Sequence, residues 1–395
     1  MASISPARRR HLRTWLPEAG AIGLHPVGGA SQPVPEQVAL HDLASNDYLD
    51  LAQHPRLIKA ASEAMEGQGV GAGGSRLVTG SRPIHRELED ALARWLGWHR
   101  VLLFPSGFQA NIAAVSALAD RHTIVLADRL IHHSLLVGVQ ASGARLKRFA
   151  HNDLSDLGRK LSQVRAARPS QQLLVLTESL FSMEGTSPDL AGLLALCRIH
   201  QARLLVDEAH ALGVLGPDGR GLTATLTDGV DSADSGVTMI SGTFGKAFGS
   251  GGAFLACDQT LGDQLLQRSG AFRYTTALAP PLAAAAQEAL SMIQEQPQWG
   301  QTLIEDAERW RDQIASTGWK RPGGRGPILP LLVGEDQATL DLQQQLERAG
   351  VLSIAIRPPT VPEGLSRLRL VLHRGQSDDA LMRLLHCLEQ ARTPT

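Results

Sequence analysis

The sequence predicts an α/β fold in which a large domain built on a mainly parallel sheet is followed by a smaller α+β domain. Two observations carry that reading. From about residue 100, short continuous apolar runs alternate with amphipathic helical stretches. After Pro280-Pro281 the texture changes to long helices separated by isolated strand-like runs. Unbroken apolar character belongs to strands buried on both faces, as in a sheet covered by crossover helices.

Taken in order, residues 1–45 read as an N-terminal arm with loop segments rich in Gly and Pro. Its start, Met1–Arg13, carries arginines and serines, and Glu18 follows soon. A solvated basic helix end is therefore expected there rather than a transit peptide. Residues 46–280 are expected to form the large domain. Its strand runs are Val101–Phe104, Thr123–Ala127, Leu173–Leu176, Arg203–Val206 and Val237–Ile240, joined by crossovers such as the helix Asp189–His200. Residues 281–395 are expected to form the small domain. Helices near Ala283–Gln294, Leu303–Ser316 and Ala338–Ala349, strands at Ile328–Val333, Val351–Ile356 and Leu368–Leu372, and a final helix make it up.

Composition narrows the function classes. Lys and Arg number 38 against 39 Asp and Glu, a formal charge of -1, so nothing global attracts nucleic acid. No apolar run is long enough to span a bilayer, and no membrane partner is expected. Cys197, Cys257 and Cys387 lie far apart with neither metal-ligand spacing nor a disulfide framework, which fits a reducing cytoplasm.

Each strand-like run is followed at once by small or polar residues. Phe104 leads to Ser106-Gly107-Phe108, Ala127 to Asp128 and His132, and Leu176 to Glu178 and Ser182. Val206 leads to Asp207 and His210, and Ile240 to Ser241, Thr243 and Lys246. In a parallel sheet these carboxyl ends share one edge, where α/β proteins bind ligands. Ser106-Gly107-Phe108 opens a helix and is either a plain cap or a phosphate site. Asp207 ends an apolar strand and needs a cationic partner, either an arginine or a protonated pyridine nitrogen. His132 is either a helix-start histidine or a flat ring stacked on a cofactor. Ser182 and His210 offer donors to a phenolate oxygen, and Glu178 reads as an orienting or structural carboxylate. Lys246, set among glycines in Ser241-Gly-Thr-Phe-Gly-Lys246-Ala-Phe-Gly-Ser-Gly-Gly252, suits an amine that must reach a carbonyl. Lysine is the residue that joins pyridoxal phosphate.

Three other patterns fail on spacing. Asp207-Glu-Ala-His210 spells a helicase Walker-B box, yet Gly245-Lys246 runs into Ala247 and lacks a leading glycine at Ile240. Gly69-Val-Gly-Ala-Gly-Gly74 follows a helical stretch, Ala60–Glu66, where a dinucleotide fingerprint needs a strand. The pair His132-His133 has no carboxylate or cysteine company that reads as a metal site, so no metal is expected.

From about Leu43 to the C-terminus the chain resembles the α-oxoamine synthase family of fold-type-I pyridoxal-phosphate enzymes. The landmarks are Ala44-Ser-Asn-Asp-Tyr-Leu49, Gly73-Gly-Ser-Arg76, Ser106-Gly-Phe108 and Thr177-Glu-Ser-Leu-Phe-Ser-Met-Glu-Gly185. Asp207-Glu-Ala-His210, Thr243-Phe-Gly-Lys246, Tyr274-Thr-Thr276 and Ile356-Arg-Pro-Pro-Thr-Val-Pro362 complete them. The resemblance implies Lys246, Asp207 and His132 as catalytic residues, with Asp207 on the pyridine nitrogen and His132 on the ring. It implies that Ser182 and His210 meet the ring oxygen, and that Gly107, Phe108 and Thr243 hold the cofactor, mostly at its phosphate. Asn46, His132, Thr360 and Arg369 would bind substrates, Arg369 through a carboxylate. It also implies a homodimer in which Thr275 and Thr276 reach the partner's phosphate.

The implied reaction is decarboxylative condensation of L-alanine with a pimeloyl thioester, on coenzyme A or an acyl carrier protein, at the entry to biotin ring assembly. Other branches use different amino acids and acyl chains: 5-aminolevulinate synthase, 2-amino-3-ketobutyrate ligase and serine palmitoyltransferase. The segment Arg357-Pro-Pro-Thr-Val-Pro362 favours the biotin branch. Lys246 together with Asp207 and His132 argues against a catalytically silent subunit. Relatives often carry a substrate-binding arginine in the arm. The matching stretch here, Ile22-Gly-Leu-His-Pro-Val27, has none, and Arg10 and Arg13 are the candidates to replace it. Asp50 and Ala72 also stand where glycine and Ser or Thr are usual.

Overall fold

A computed structural model describes residues 5–18, 20, 22–27, 38–227 and 232–391. The described strands and helices begin with β1 (Thr14–Pro17), β2 (Gly23–Val27), β3 (Leu40–Asp42), α1 (Pro55–Gln68), α2 (Pro83–Leu96), β4 (Arg100–Phe104), α3 (Gly107–Leu118) and β5 (Thr123–Asp128). There follow α4 (His133–Ser142), β6 (Arg145–Phe149), α5 (Leu154–Ala167), β7 (Gln172–Glu178), α6 (Leu190–Ile199), β8 (Arg203–Asp207), β9 (Met239–Thr243) and β10 (Ala253–Cys257). After α7 (Gln259–Arg268), α8 (Gly270–Arg273), α9 (Pro280–Glu295) and α10 (Trp299–Ser316) come β11 (Ile328–Gly334) and α11 (Asp336–Arg348). The last elements are β12 (Val351–Leu352), β13 (Ile354–Ile356), β14 (Ser366–Val371) and α12 (Asp378–Gln390).

Contacts divide the chain into two compact units, His54–Phe181 with Ser187–Gly300, and Met1–Gln53 with Ser182–Thr186 and Gln301–Thr395. These limits differ from 45/46 and 280/281 for packing reasons. Helix α9 lies along α1 and α2 and so stays with the large sheet, while β3 of the arm pairs with β12.

The larger unit is organised by a seven-stranded sheet in the order β4-β10-β9-β8-β7-β5-β6. Strands β5 to β9 pair in parallel, and β10 runs antiparallel to both β9 and β4. Two reversals cancel, so β4 points the same way as β9. All five strand ends singled out in the sequence therefore lie on one edge. Both faces are buried: Leu102, Val125, Leu174, Leu205, Met239 and Leu255 face the cluster that α3, α4, α7 and α8 contribute to. Their opposite-facing neighbours Leu103, Leu126, Val175, Val206, Ile240 and Phe254 are buried as well. Strand β10 went unread because it follows a glycine-rich loop. Strand β6 went unread because Arg145-Leu-Lys-Arg-Phe149 is a charged, exposed edge strand, a common guard against edge-to-edge pairing.

In the smaller unit, β1-β2-β3-β12 form one sheet and β11-β14-β13 another. The run Val351–Ile356 is two strands, because Ser353 is a switch point at which the backbone leaves β3 for β14. The arm is not a solvated helix end. A single 3₁₀ turn, Pro6–Arg8, gives way to extended chain; Arg8 pairs with Asp336 and Glu363, and Arg13 with the buried Glu347. Part of the Gly- and Pro-rich loop of the arm, residues 28–37, lies outside the described residues. Asp50 sits at φ 55, a left-handed conformation that glycine adopts without strain and aspartate tolerates.

Candidate active site

Strand periodicity builds one wall of the site. Glu178 pairs with Asp207 and Asp207 with Ser241 across neighbouring strands, and Thr243 lies two residues beyond Ser241. These four side chains thus share the face that α3 covers, at its carboxyl edge. Helices α3 and α4 form the opposite wall and approach closely at Gly138. A Cβ there would lie 2.9 Å from Cβ of Val115 and 3.2 Å from the Asn111 carbonyl oxygen. A cavity of about 230 Å³ lies between the walls, lined among others by Gly107, Phe108, His132, Glu178, Asp207 and Lys246. Asn111, His210, Ser241 and Thr243 line it too.

Lys246 stands in a loop that its neighbours fix. Phe244 and Phe248 on either side are fully buried and meet edge to face at 5.5 Å, and Phe248 meets Trp95 at 6.1 Å. The Gly249 amide donates to the Lys246 carbonyl at 2.8 Å, and Thr243 Oγ1 donates to the Gly252 carbonyl at 3.0 Å. The half-buried Lys246 is thus held at its backbone while its stem reaches the cavity.

Asp207 is buried, and both carboxylate oxygens have donors within the protein. Asn111 Nδ2 donates to Oδ2 at 2.7 Å and the Ala209 amide to Oδ1 at 2.9 Å. A carboxylate has about four acceptor positions, so room remains for a further donor. The His132 amide donates to Glu178 Oε1 at 2.5 Å, which gives the buried Glu178 its orienting task. Burial lowers the His132 pKa below the usual histidine range; the nearby Lys246 charge adds to this and Asp207 opposes it. Its imidazole is neutral near pH 7. Next along the loop, burial raises the Glu208 pKa, and its carboxyl group accepts from the Leu222 and Thr223 amides at 3.1 and 2.7 Å.

At the start of α3, the Ser106 hydroxyl accepts from the Gln109 amide at 3.3 Å. The cap thus takes the third amide. The first two, Gly107 and Phe108, lack intrahelical partners as in any helix and line the cavity. A Cβ on Gly107 would come to 3.7 Å from Thr243 Cβ, so glycine keeps that corner open. Two buried polar atoms of the lining residues, Asn111 Oδ1 and Ser241 Oγ, lack partners in the protein. Free helix amides, an amine, a carboxylate with spare capacity and unsatisfied buried polar atoms fit a phosphorylated aromatic aldehyde such as pyridoxal phosphate.

The other predicted residues have their own settings. Within the smaller unit, Arg369 Nε donates to the Ser182 carbonyl at 2.6 Å and Nη2 to Asn46 Oδ1 at 2.8 Å. Tyr48 OH reaches the same Asn46 oxygen at 3.3 Å, and burial pushes its pKa up to about 12. Ser182 thus belongs to the same unit as Arg369 and Asn46. Thr360 is exposed and accepts from Arg10 Nη2 at 2.7 Å. Both border a cavity of about 590 Å³ that Arg9, Arg13 and Arg357 also line. Thr275 and Thr276 lie outside the Lys246 cavity, on a segment bridged to Ser75. Sequence reasoning missed Asn111 and Ser134. A lone asparagine within the apolar helix Ala110–Leu118, one turn past the phosphate-type start, was the available signal.

Residues 39–386 match the family described as aminotransferase class I and II. The chain belongs to that family. It is 41% identical over 347 residues to a protein of Chromohalobacter salexigens called 8-amino-7-oxononanoate synthase, covering 88% of each chain. A second protein of that name, from an Enterobacter strain, is 40% identical over 366 residues, 91% of this chain and 92% of the relative. Among solved structures, a serine palmitoyltransferase from S. paucimobilis, determined with a PLP–myriocin aldimine, superposes with a TM-score of 0.85. Its identity is 25%, over 94% of this chain and 89% of that one. An 8-amino-7-oxononanoate synthase from Francisella tularensis gives a TM-score of 0.74 at 25% identity, over 89% and 97%. The likeness to PLP-dependent α-oxoamine synthases of fold type I, read first from motifs, is thereby borne out. Among the described residues no helix is long and apolar enough to cross a membrane.

Proposed function

We propose that this chain is a pyridoxal-phosphate-dependent acyltransferase that condenses L-alanine with a pimeloyl thioester to give 8-amino-7-oxononanoate, carbon dioxide and the free thiol carrier. The observation that carries the proposal is the convergence of Lys246, Asp207, His132 and the first amides of α3 on one cavity of about 230 Å³. The names of relatives about 40% identical along most of their length support the choice of substrates.

When bound, pyridoxal phosphate supplies an aldehyde that condenses with amines and a ring that withdraws electrons from the neighbouring carbon. The Gly107 and Phe108 amides, with Thr243, would hold its phosphate at the positive end of α3. Asp207 would accept the ring N–H, His132 would pack on the ring face, and His210 would donate to the ring oxygen. Lys246 Nζ would hold the aldehyde of the cofactor and would be the base placed to take the alanine α-proton. Arg369 and Asn46 take the alanine carboxylate. A bond forms between the alanine α-carbon and the thioester carbonyl carbon. The carbon–sulfur bond breaks and the thiolate leaves, taking a proton from solvent; the former alanine carboxylate departs as carbon dioxide, and the α-carbon takes back the proton that Lys246 holds.

Arg10 and Arg357, beside Thr360 in the larger cavity, offer positive charge to the far carboxylate of the acyl chain. Arg13 is the weaker candidate, since its guanidinium grips Glu347 at 2.6 and 3.1 Å.

Lys246→Ala is expected to abolish both the visible absorption band of the loaded enzyme and its turnover with alanine and either pimeloyl carrier. Borohydride trapping followed by peptide mapping should place the cofactor on the Lys246 peptide of the wild type. Trapping on another lysine would overturn the assignment, and a larger spectral response to glycine or serine than to alanine would move the chain to another branch.

A further inference from the structure

We propose that Asn111 and Ser134 are positioning residues: a fixed hydrogen-bond chain from Asp207 through Asn111 and Ser134 to Nδ1 of His132 orients the carboxylate and keeps the imidazole proton on Nε2. The consequence for cofactor binding rests on the function proposed above, whereas the chain of hydrogen bonds does not. Every link has a direction set by chemistry. An ionised carboxylate only accepts, so the Asn111 atom facing Asp207 Oδ2 at 2.7 Å is its amide nitrogen. The second hydrogen of that nitrogen goes to Ser134 Oγ at 2.9 Å. Ser134 Oγ, accepting there, also lies 2.6 Å from His132 Nδ1 and has one proton to give it. The Ser134 backbone amide, which only donates, lies 3.4 Å from the same nitrogen. That amide requires a lone pair on Nδ1, so the Ser134 hydroxyl donates to the same atom.

Ser134 is fully buried and Asn111 is 3% exposed, so water does not compete for these bonds. Gly138 makes the chain geometrically feasible by letting α4 settle against α3. Two functions follow. Asp207 is gripped at both oxygens, by Asn111 and by the Ala209 amide, which fixes the plane it presents to the cavity. The other ring nitrogen of His132 becomes a hydrogen-bond donor and cannot accept a proton. Proton removal at the reacting carbon is thereby left to Lys246 Nζ.

The test reads ring ¹⁵N chemical shifts of the full-length chain near pH 7.5, with the His132 signals assigned by their loss in His132→Asn. In the wild type the Nε2–H tautomer should exceed the Nδ1–H form by about ten-fold or more, the scale of one buried hydrogen bond. Ser134→Ala should lower that ratio about five-fold, whereas Ser134→Thr, which keeps the hydroxyl, should stay within about two-fold of wild type. Asn111→Ala should lower the ratio about three-fold and weaken binding of pyridoxal phosphate about ten-fold. Should Ser134→Ala fail to fold, Ser134→Cys, similar in shape and a weaker donor, should shift the ratio the same way. A ratio unmoved by loss of the Ser134 hydroxyl, or an Asn111→Ala chain altered in neither measurement, would overturn the proposal. If wild type bound no pyridoxal phosphate, the cofactor reading would fall while the tautomer ratio still decided this one.

Discussion

Arg369 buries a guanidinium against neutral oxygens, the Ser182 carbonyl, Asn46 Oδ1 and the Tyr48 hydroxyl. Among the described residues no carboxylate lies within ion-pair distance of it. A buried cation with open donors is costly until an anion arrives, and a planar fork suits a carboxylate. Arg369→Lys keeps the charge and loses the fork, so KM for alanine should rise about ten- to hundred-fold, with a smaller fall in kcat. Steady-state kinetics decide the matter: an unchanged KM would remove Arg369 from the amino-acid site. The residue scale also shows what the sequence concealed. Lys246, Asp207 and His132 announce themselves through strand ends and glycine context. The Asn111 and Ser134 links depend on how closely two helices pack, which is a property of Gly138 and its neighbours in space.

Helix α2 carries the clearest pH-sensitive element. Fully buried His85 accepts the Arg82 amide at Nδ1, 3.0 Å, which caps the helix, and its Nε2–H donates to the Leu278 carbonyl at 2.7 Å. Burial, assisted by Arg76, lowers its pKa. The unfolded chain then takes up a proton first as pH falls, so stability is full above about 6.5 and is lost as pH drops toward the lowered folded value. For this one group the loss cannot exceed about 1.4 kcal/mol per pH unit. Urea midpoints at pH 7.5 and 5.5 should show His85→Gln weaker than wild type at the higher pH but changing less between the two. Equal pH dependence would assign the acid sensitivity to other groups. At this scale the sequence was readable wherever burial leaves a pattern. The five strand ends and the crossovers are visible because both faces are apolar. The arm strands β1 to β3 and the charged strand β6 are not, since edge and short strands leave no such trace.

Assembly is the scale at which the larger unit looks incomplete alone. The Ser75–Thr276 bridge sets the Val70–Val78 loop beside Tyr274, and there Val70, Val78 and Tyr274 are 71, 77 and 80% exposed. Single exposed apolar side chains are ordinary, but several on adjoining segments suit a surface that a second chain would cover. Thr275 and Thr276 lie on that same segment and outside the cavity of Lys246. A second copy, paired about a two-fold axis, would cover this face and carry each threonine pair toward its neighbour's phosphate. Mixing chains tests this more sharply than measuring mass. Lys246→Ala and the double variant Thr275→Ala, Thr276→Ala should each be nearly inactive alone. If every site draws Lys246 from one subunit and the threonines from the other, equal mixing after subunit exchange makes half the dimers hybrid. Each hybrid then has one intact site, so activity should recover to about a quarter of wild type. If both functions instead belonged to the same chain, a hybrid would hold two damaged sites or one rescued by neither partner, and mixing would restore nothing. Sedimentation of the mixture must show dimers for the comparison to count, and a monomer fully active at high dilution would end the argument for a shared site.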